Sequence, residues 1–251
     1  MTRQLNSKQA MRYSRHIMLP GFDLEKQEAL LASRVLLVGL GGLGCAAAQY
    51  LVSSGIGKLT LVDDDSVDYS NLQRQVLHTE GDIGKNKCES AKASLLQINS
   101  SAQIEVITHR LSDEQLSDEL QQQDIVLDCS DNLATRNQLN RFCLRTKTPL
   151  VSGAAIRMEG QVFCMIPSDD CACYGCLSGF FGEQQLSCVD AGVMSPLVGV
   201  IGSLQALEAI KILVDYGQPL RNTLLLFDAM TLQWQHFVVP KRPDCAACSS
   251  I

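Results

Sequence analysis

The sequence predicts an α/β fold with a mostly parallel sheet, and two features of its first 150 residues support this. An apolar run, Val35–Val38, precedes the glycine pattern Gly39-Leu40-Gly41-Gly42-Leu43-Gly44, which opens a predicted helix. Segments with strand and helix patterns then alternate as far as Ser152. Such alternation indicates right-handed βαβ units and therefore a Rossmann-like sheet covered on both faces.

The individual elements follow from apolar runs and from the polar residues that separate them. The predicted parallel strands are Val35–Val38, Leu59–Val62, Ile104–Thr108, Ile125–Asp128 and Leu150–Ser152. The helices between them are predicted at Leu43–Ser53, Asn86–Ile98, Asp113–Gln122 and Leu133–Arg145. After Met158 the pattern changes. Three later strands are expected to extend the sheet antiparallel, namely Gly160–Ile166, Thr223–Phe227 and Trp234–Val239. A long helix, Gly199–Val214, is predicted between the first and the second of them.

The chain has no linker rich in Pro, Gly or Ser, so its 251 residues are expected to form one domain. Within it we predict N-terminal helices over 1–32, a nucleotide-binding half over 33–155 and a second half over 156–251. Ser7 is expected to cap a short helix that reaches about His16. This helix carries Arg12 and Arg15 one turn apart.

Composition excludes several classes of protein. The net charge of −6 and the lack of a basic stripe argue against a nucleic-acid partner. The polar N-terminus lacks the apolar core of a signal peptide, and the apolar stretch 193–207 is interrupted by Pro196, Gly199 and Gly202. We therefore expect a cytoplasmic protein without a membrane span. Its eleven cysteines are then not a disulfide framework, and five are predicted to be buried and inert: Cys45, Cys88, Cys129, Cys143 and Cys164.

The strand Leu59–Val62 ends in three acidic residues, which predict a ribose site. An acid about 20 residues past the glycines is the position that holds a ribose hydroxyl, and Asp63 fits it. Backbone N–H groups of the glycine turn are expected to face phosphates. Up to this point any dinucleotide enzyme fits. Beyond it, Arg74, Lys85 and Lys87 add positive charges that suit a triphosphate such as ATP better than a nicotinamide ring.

Asp131 follows the strand Ile125–Asp128, at the sheet edge where ligands bind in such folds. A lone carboxylate beside several cations suits Mg²⁺. Asp131-Asn132 fits equally well as the N-cap of the next helix, and the two roles are compatible. No His or Glu beside the glycine loop is expected to serve as a general base, and a carboxylate nucleophile needs none. Adenylation of a carboxylate and phosphoryl transfer both remain open.

Two Cys-x-x-Cys pairs, Cys173/Cys176 and Cys245/Cys248, predict a structural zinc site. Four thiolates form a closed tetrahedral site with no position left for water. The alternative is a redox pair, which belongs at a helix N-terminus that neither pair clearly has. Cys171 is a competing ligand.

Cys188 stands apart from these pairs, on the predicted loop 185–192. An exposed cysteine on a loop is a candidate sulfur acceptor or nucleophile. A thiol without a chemical role is the alternative.

Taken together, several segments resemble the E1-like (MoeB/ThiF) adenylyltransferase family over nearly the whole chain. They are the two cysteine pairs, Arg12-Tyr13-Ser14-Arg15, Gly39–Gly44, Ser70-Asn71-Leu72-Gln73-Arg74-Gln75 and Asp128-Cys129-Ser130-Asp131-Asn132. The segment Gly153–Gln161 is most similar to the molybdopterin-synthase branch, and the thiamine-pathway branch is its near neighbour.

The resemblance implies a reaction. Such enzymes adenylate the C-terminal Gly-Gly carboxylate of a ubiquitin-like sulfur carrier and release pyrophosphate, which prepares the carrier for thiocarboxylate formation in molybdenum cofactor biosynthesis. The implied nucleotide residues are Gly42, Asp63, Ser70, Asn71, Arg74, Lys87, Asp131 and Asn132. Asp131 would hold Mg²⁺, and the implied zinc ligands are Cys173, Cys176, Cys245 and Cys248.

The resemblance also implies partners. The chain would form a homodimer, and a heterotetramer with two carriers, in which Arg15 reaches the active site of the other subunit. Cys188 corresponds to the loop cysteine that joins the carrier covalently in the thiamine branch. No sulfurtransferase domain follows, so a separate sulfur-donor protein is expected.

Three functions are distinguished. An adenylyltransferase is favoured, with the molybdopterin carrier preferred over the thiamine carrier. An NAD-dependent oxidoreductase would leave Arg74, Lys87 and the cysteine pairs unexplained. An inactive zinc-stapled scaffold that only binds a carrier would not need Arg15 or Asp131.

Overall fold

The computed structural model describes residues 4–180 and 191–249, and in this part of the chain eight strands form one sheet. The order of the strands is β3-β2-β1-β4-β5-β6-β7-β8. Their bounds are β1 (Arg34–Val38), β2 (Lys58–Val62), β3 (Gln103–Ile107), β4 (Ile125–Asp128), β5 (Leu150–Ile156), β6 (Glu159–Met165), β7 (Thr223–Asp228) and β8 (Gln233–Val238).

The helices cover both faces of this sheet. Their bounds are α1 (Ser7–Arg12), α2 (Ser14–Ile17), α3 (Asp23–Ala32), α4 (Gly42–Ser54), α5 (Lys87–Ile98), α6 (Asp113–Leu120), α7 (Leu133–Thr146), α8 (Tyr174–Ser178) and α9 (Ser195–Leu213). Two large clusters of buried apolar side chains lie on the two sides of the sheet.

The predicted fold class is confirmed. Strands β1 to β5 pair in parallel, and β6 to β8 continue the sheet antiparallel. The chain moves outward from β1 to β3 and then returns to the other side of β1 at β4. A crevice forms at such a change of direction, outside the carboxyl ends of the strands, and ligands bind there in open α/β sheets.

Some boundaries differ from the prediction. Strand β5 continues to Ile156 rather than ending at Ser152, because it pairs along its whole length with β6 in a hairpin. Helix α9 begins at Ser195 instead of Gly199, with Pro196 in its first turn, where a missing N–H costs nothing. The ends of β3 and α6 at Ile107 and Leu120 are one and two residues earlier than predicted.

The predicted N-terminal helix was wrong in its cap and its length. Asn6, not Ser7, is the N-cap, and its Oδ1 accepts from the Gln9 N–H at 2.9 Å. The helix ends at Arg12, and a second short helix begins at Ser14. The break falls at Tyr13, which is buried and whose hydroxyl accepts from Asn99 Nδ2 at 3.1 Å.

Within the described residues, α9 is the one helix long and apolar enough to cross a membrane by length and composition alone. It packs on α4 and on the sheet. The approach is close, because a Cβ on Gly202 would lie 2.3 Å from the Leu43 carbonyl oxygen. Leu197, Val198 and Ile201 are buried in this contact.

Candidate active site

A cavity of about 720 Å³ opens at the carboxyl ends of the parallel strands. Its volume lies in the range of small-molecule sites. All eight residues predicted to bind the nucleotide line it: Gly42, Asp63, Ser70, Asn71, Arg74, Lys87, Asp131 and Asn132. The fold thus brings together residues that are spread over 91 positions of the sequence, from 42 to 132.

The glycine turn places the N-terminus of α4 against this cavity. Gly39 has φ +96°, and a Cβ there would lie 2.7 Å from the Cys129 carbonyl oxygen. A Cβ on Gly44 would lie 1.8 Å from the Gly39 carbonyl oxygen. Only glycine therefore lets the turn close on itself and on β4. The first N–H groups of α4 lack partners within the helix, so the arrangement is suited to an anion.

The close backbone contact at Gly44 leads to a prediction about stability. Gly44→Ala is expected to destabilise the fold, by about 2 kcal/mol or more, because the clash is with backbone and cannot be relieved by a rotamer change. Gly41→Ala in the same turn is the matched control, since its Cβ would meet only Gln75 Nε2, at 3.8 Å. Urea unfolding of both variants is the measurement. Equal stabilities would contradict the described geometry of the turn.

Asp63 anchors the glycine turn, a role that the sequence did not reveal. Its Oδ2 accepts from the Leu40 N–H at 2.6 Å, and its Oδ1 accepts from the Asp65 N–H at 2.9 Å. Burial raises the pKa of Asp63 above its ordinary value, and the two N–H donors oppose that shift. Asp63 lines the cavity, and each of its oxygens can accept a further hydrogen bond beside the N–H bond that it already accepts. Its contact with a ribose stays a prediction.

His78 contacts the same turn and does not line the cavity. Its Nε2 is 3.3 Å from the Leu40 carbonyl oxygen and its Nδ1 is 2.9 Å from Ser90 Oγ. A carbonyl only accepts, so Nε2 carries the hydrogen and Nδ1 accepts from the Ser90 hydroxyl. Burial lowers the pKa of His78. Because both ring nitrogens are engaged, His78 is not a general base for the cavity.

The cationic side of the cavity is formed by Arg74 and Lys87. Arg74 Nη2 donates to Asn71 Oδ1 at 3.0 Å, and Lys87 Nζ pairs with Asp65 Oδ2 at 2.7 Å. Lys85 instead pairs with Asp82 at 2.9 Å and does not line the cavity.

Gln75 lies between these groups and the glycine turn. It is buried and lines the cavity, and its Oε1 has no hydrogen-bond partner among the described residues. An unpaired buried amide is costly, which is consistent with a site that a polar ligand completes.

The turn after β4 separates the two roles that the sequence left joined. Asn132 is the N-cap of α7, and its Oδ1 accepts from the Thr135 N–H at 2.9 Å. Asp131 is exposed at the cavity, and the described residues provide no hydrogen bond or ion pair to its carboxylate. Its oxygens are thus available to a cation.

The loop after β3 contributes cavity residues that no sequence motif indicated. His109, Arg110 and Leu111 line the wall, and Arg110 Nε pairs with Asp64 Oδ2 at 3.0 Å. The available signal was position, because this loop follows a parallel strand and so reaches the same sheet edge as the glycine turn.

One predicted catalytic residue, Arg15, does not line the cavity of its own chain. Arg15 lies on α2, is exposed and does not line the cavity. The described residues offer it no hydrogen bond or ion pair. Cys188 lies outside the described residues.

The four cysteines of the two pairs lie together, away from the cavity, with all four Sγ atoms within 4.8 Å of one another. Three Sγ–Sγ distances are 4.0 Å (Cys173–Cys176), 3.7 Å (Cys173–Cys245) and 3.4 Å (Cys176–Cys248). Tetrahedral zinc with Zn–S bonds of about 2.3 Å spaces its sulfurs about 3.8 Å apart. The cluster therefore fits such an ion.

The surroundings of the cluster also suit a structural metal. Asn140 Nδ2 and the Arg242 N–H point at Cys173 Sγ and Cys176 Sγ, at 3.6 and 3.4 Å. Cys173 caps α8, so the expectation that neither pair lies at a helix N-terminus was wrong. Burial nevertheless raises the pKa of Cys173 to about 11, the opposite of a redox thiol. Cys171 is buried nearby but is not one of the four clustered sulfurs.

Comparisons with known proteins agree with this architecture. The ThiF family matches residues 13–247. The chain is 53% identical over 245 residues to the molybdopterin-synthase adenylyltransferase of Escherichia coli (strain K12), covering 98% of each. It is 43% identical over 244 residues to the sulfur carrier protein ThiS adenylyltransferase of the same strain, covering 97% of each.

The fold agrees as well. A crystal structure of E. coli MccB with ATP has a TM-score of 0.82 at 25% identity, covering 98% of this chain and 75% of that one. The family match, the sequence identities and the fold agree with one another, and the chain belongs to the ThiF family.

Proposed function

We propose that the protein is a molybdopterin-synthase adenylyltransferase. It would transfer AMP from ATP to the C-terminal Gly-Gly carboxylate of a ubiquitin-like sulfur carrier and release pyrophosphate. The observation that carries the proposal is one cavity lined by the glycine turn, Arg74, Lys87 and Asp131. The higher identity to the molybdopterin-synthase enzyme, 53% against 43%, favours the molybdopterin carrier over the thiamine carrier.

Charge in the cavity supports a triphosphate. The phosphates would lie on the N–H groups at the start of α4, with Arg74 and Lys87 beside them. Lys87 has three donors and uses one on Asp65, so two remain for phosphate oxygens. Asp131 would hold Mg²⁺, which when bound neutralises phosphate charge. Asp63 would accept from a ribose hydroxyl, while Ser70, Asn71 and Asn132 complete the polar wall.

The reaction needs positioning and charge compensation more than proton transfer. A carrier carboxylate oxygen would attack the α-phosphorus of ATP. The bond from that phosphorus to the oxygen bridging toward the β-phosphate would break, and pyrophosphate would leave. The attacking group is already an anion, so no base is required. The engagement of both His78 nitrogens is consistent with this.

Arg15 supports a homodimer, which we propose as the active unit. It is exposed and outside the cavity of its own chain, as expected if it completes the site of a second copy. A heterotetramer would contain two carriers. Residues 156–251 would provide the carrier-binding half.

The remaining parts of the proposal concern sulfur and location. All ten cysteines in the described ranges are buried, which favours a separate sulfur-donor protein. Cys188 remains a candidate for sulfur transfer. A cytoplasmic location completes the proposal.

Subunit mixing tests whether Arg15 acts in trans. Arg15→Ala and Lys87→Ala homodimers are each expected to lose adenylation, while mixed dimers regain activity at one of their two sites. That site would take an intact Lys87 from one subunit and an intact Arg15 from the other. Pyrophosphate exchange by co-refolded mixtures is the measurement. An unrestored mixture would contradict a role in trans.

The choice of pathway is tested with two purified carriers at fixed Mg²⁺. ATP–pyrophosphate exchange is expected with the molybdopterin-type carrier. Exchange with the thiamine-type carrier alone would keep the chemistry but overturn the pathway.

A further inference from the structure

Arg136 is a buried cation that contacts the turn carrying Asp131. It lies in the second turn of α7, is only 7% exposed and does not line the cavity. Its Nη2 donates to the Ser130 carbonyl oxygen at 2.7 Å and to the Gly153 carbonyl oxygen at 2.9 Å. Burying a guanidinium is expensive unless hydrogen bonds compensate it. Here both bonds go to backbone next to the site.

The opposite side of the same turn is held by Asp128, which is also buried. Its Oδ1 accepts from the Ser130 N–H at 3.1 Å and from Ser130 Oγ at 2.6 Å. Its Oδ2 accepts from Ser152 Oγ at 2.8 Å. The backbone of Ser130 is thus hydrogen-bonded at its N–H by the Asp128 carboxylate and at its C=O by the Arg136 guanidinium. Asp131 follows immediately, so these two groups restrain the backbone from which its side chain extends.

Arg136 is itself held in place from the side of the cysteine cluster. Its Cζ lies 5.8 Å from the centroid of the Tyr174 ring, a cation–π contact. One turn further along α7, Asn140 Oδ1 accepts from the Tyr174 N–H at 2.8 Å. The guanidinium is therefore packed against the Tyr174 ring as well as hydrogen-bonded to the two carbonyl oxygens.

We propose that Arg136 is a positioning residue for the divalent cation at Asp131. The proposal rests on the proposed function, since Asp131 is assigned to Mg²⁺ there. Mg²⁺ requires near-octahedral geometry at 2.0–2.1 Å, so an exposed carboxylate binds it well only when its backbone is fixed. Arg136 supplies that restraint through the Ser130 carbonyl and touches neither the nucleotide nor the metal.

The test compares Arg136→Met with Arg145→Met. Both positions lie on α7, but Arg145 lies over the Phe142 ring, 5.3 Å from its centroid, and is outside the cavity. ATP affinity is measured by calorimetry over a series of Mg²⁺ concentrations, including none. Residues that orient a metal ligand typically contribute about 10–100-fold to metal affinity. We therefore expect the Mg²⁺ midpoint to rise about tenfold or more in Arg136→Met and to stay unchanged in Arg145→Met.

Metal-free ATP affinity separates positioning from loosening of the fold. Positioning predicts that this affinity is retained in Arg136→Met. A wild-type Mg²⁺ midpoint, or equal weakening with and without Mg²⁺, overturns the proposal. If Arg136→Met does not fold, Arg136→Lys decides, since it keeps the charge but loses the planar fork. A raised midpoint in Arg136→Lys supports the proposal and a wild-type midpoint overturns it.

Asp131→Ala separates the assignment of Asp131 to Mg²⁺ from the positioning role of Arg136. If its Mg²⁺ midpoint rises and that of Arg136→Met does not, only the positioning role fails. If its midpoint is unchanged, Asp131 is not the Mg²⁺ residue, and the assignment and the positioning role fail together.

Discussion

Asp131→Ala is expected to lower carrier adenylation at least about 100-fold with little change in stability. The side chain is exposed and bonded to no described residue, so its removal leaves no unpaired group in the fold. The variant would lose adenylation activity rather than stability, because the carboxylate anion must approach the negatively charged α-phosphate. Without a carboxylate to hold Mg²⁺, the repulsion between the two anions is not cancelled.

The measurement is pyrophosphate exchange at saturating carrier, with thermal unfolding alongside it. Asp118→Ala is the matched control, since Asp118 is an exposed acid on α6 that does not line the cavity. We expect wild-type exchange from this control. Exchange retained by Asp131→Ala at ordinary Mg²⁺ concentration would remove Asp131 from the metal role.

Cys245→Ser is expected to release zinc and to lower Tm by about 5–10 °C, on the order of 2–3 kcal/mol. Its sulfur is 3.7 Å from Cys173 Sγ, and the pair Cys245/Cys248 connects the C-terminal segment to α8. A hydroxyl is a much poorer zinc ligand than a thiolate. A metal held by the four thiolates would stabilise only the folded state, so its loss would lower stability.

Cys171→Ser provides the control for this prediction, because it changes a buried thiol beside the cluster without touching the four sulfurs. Its Sγ donates to the Ala172 carbonyl oxygen at 3.3 Å, a bond that a serine hydroxyl can also make. Metal analysis should find one zinc per chain in this control and less in Cys245→Ser. Unchanged zinc in Cys245→Ser, or lost zinc in Cys171→Ser, would contradict the four-thiolate site.

The sequence predicted best where one residue type is required by local backbone or by a fixed position in the fold. The glycine pattern after β1 identified the turn, because Gly39 and Gly44 leave no room for a side chain. Acidic residues at the ends of β2 and β4 were placed at one sheet edge by the parallel topology alone. These two rules indicated the glycine turn, Asp63 and Asp131, whereas Ser70 and Asn71 were implied only by the family resemblance.

Most of the missed features are hydrogen bonds between side chains and backbone groups. His78 and Arg136 both act on backbone carbonyl oxygens, at Leu40 and at Ser130. Every residue offers a carbonyl, so such a bond leaves no spacing pattern in the sequence. The N-cap at Asn6 rather than Ser7 was missed for a local reason, since the two residues are adjacent and both residue types cap helices well.

We propose that this cavity activates a terminal carboxylate with ATP. The most direct measurement is ATP–pyrophosphate exchange with a sulfur carrier whose final glycine carries either a free carboxylate or an amide. We predict exchange with the free carboxylate and none with the amide, because only the former can attack the α-phosphorus. Exchange that persists with the amide would contradict adenylation of the terminal carboxylate. The absence of exchange with the free carboxylate of either pathway's carrier would contradict it as well.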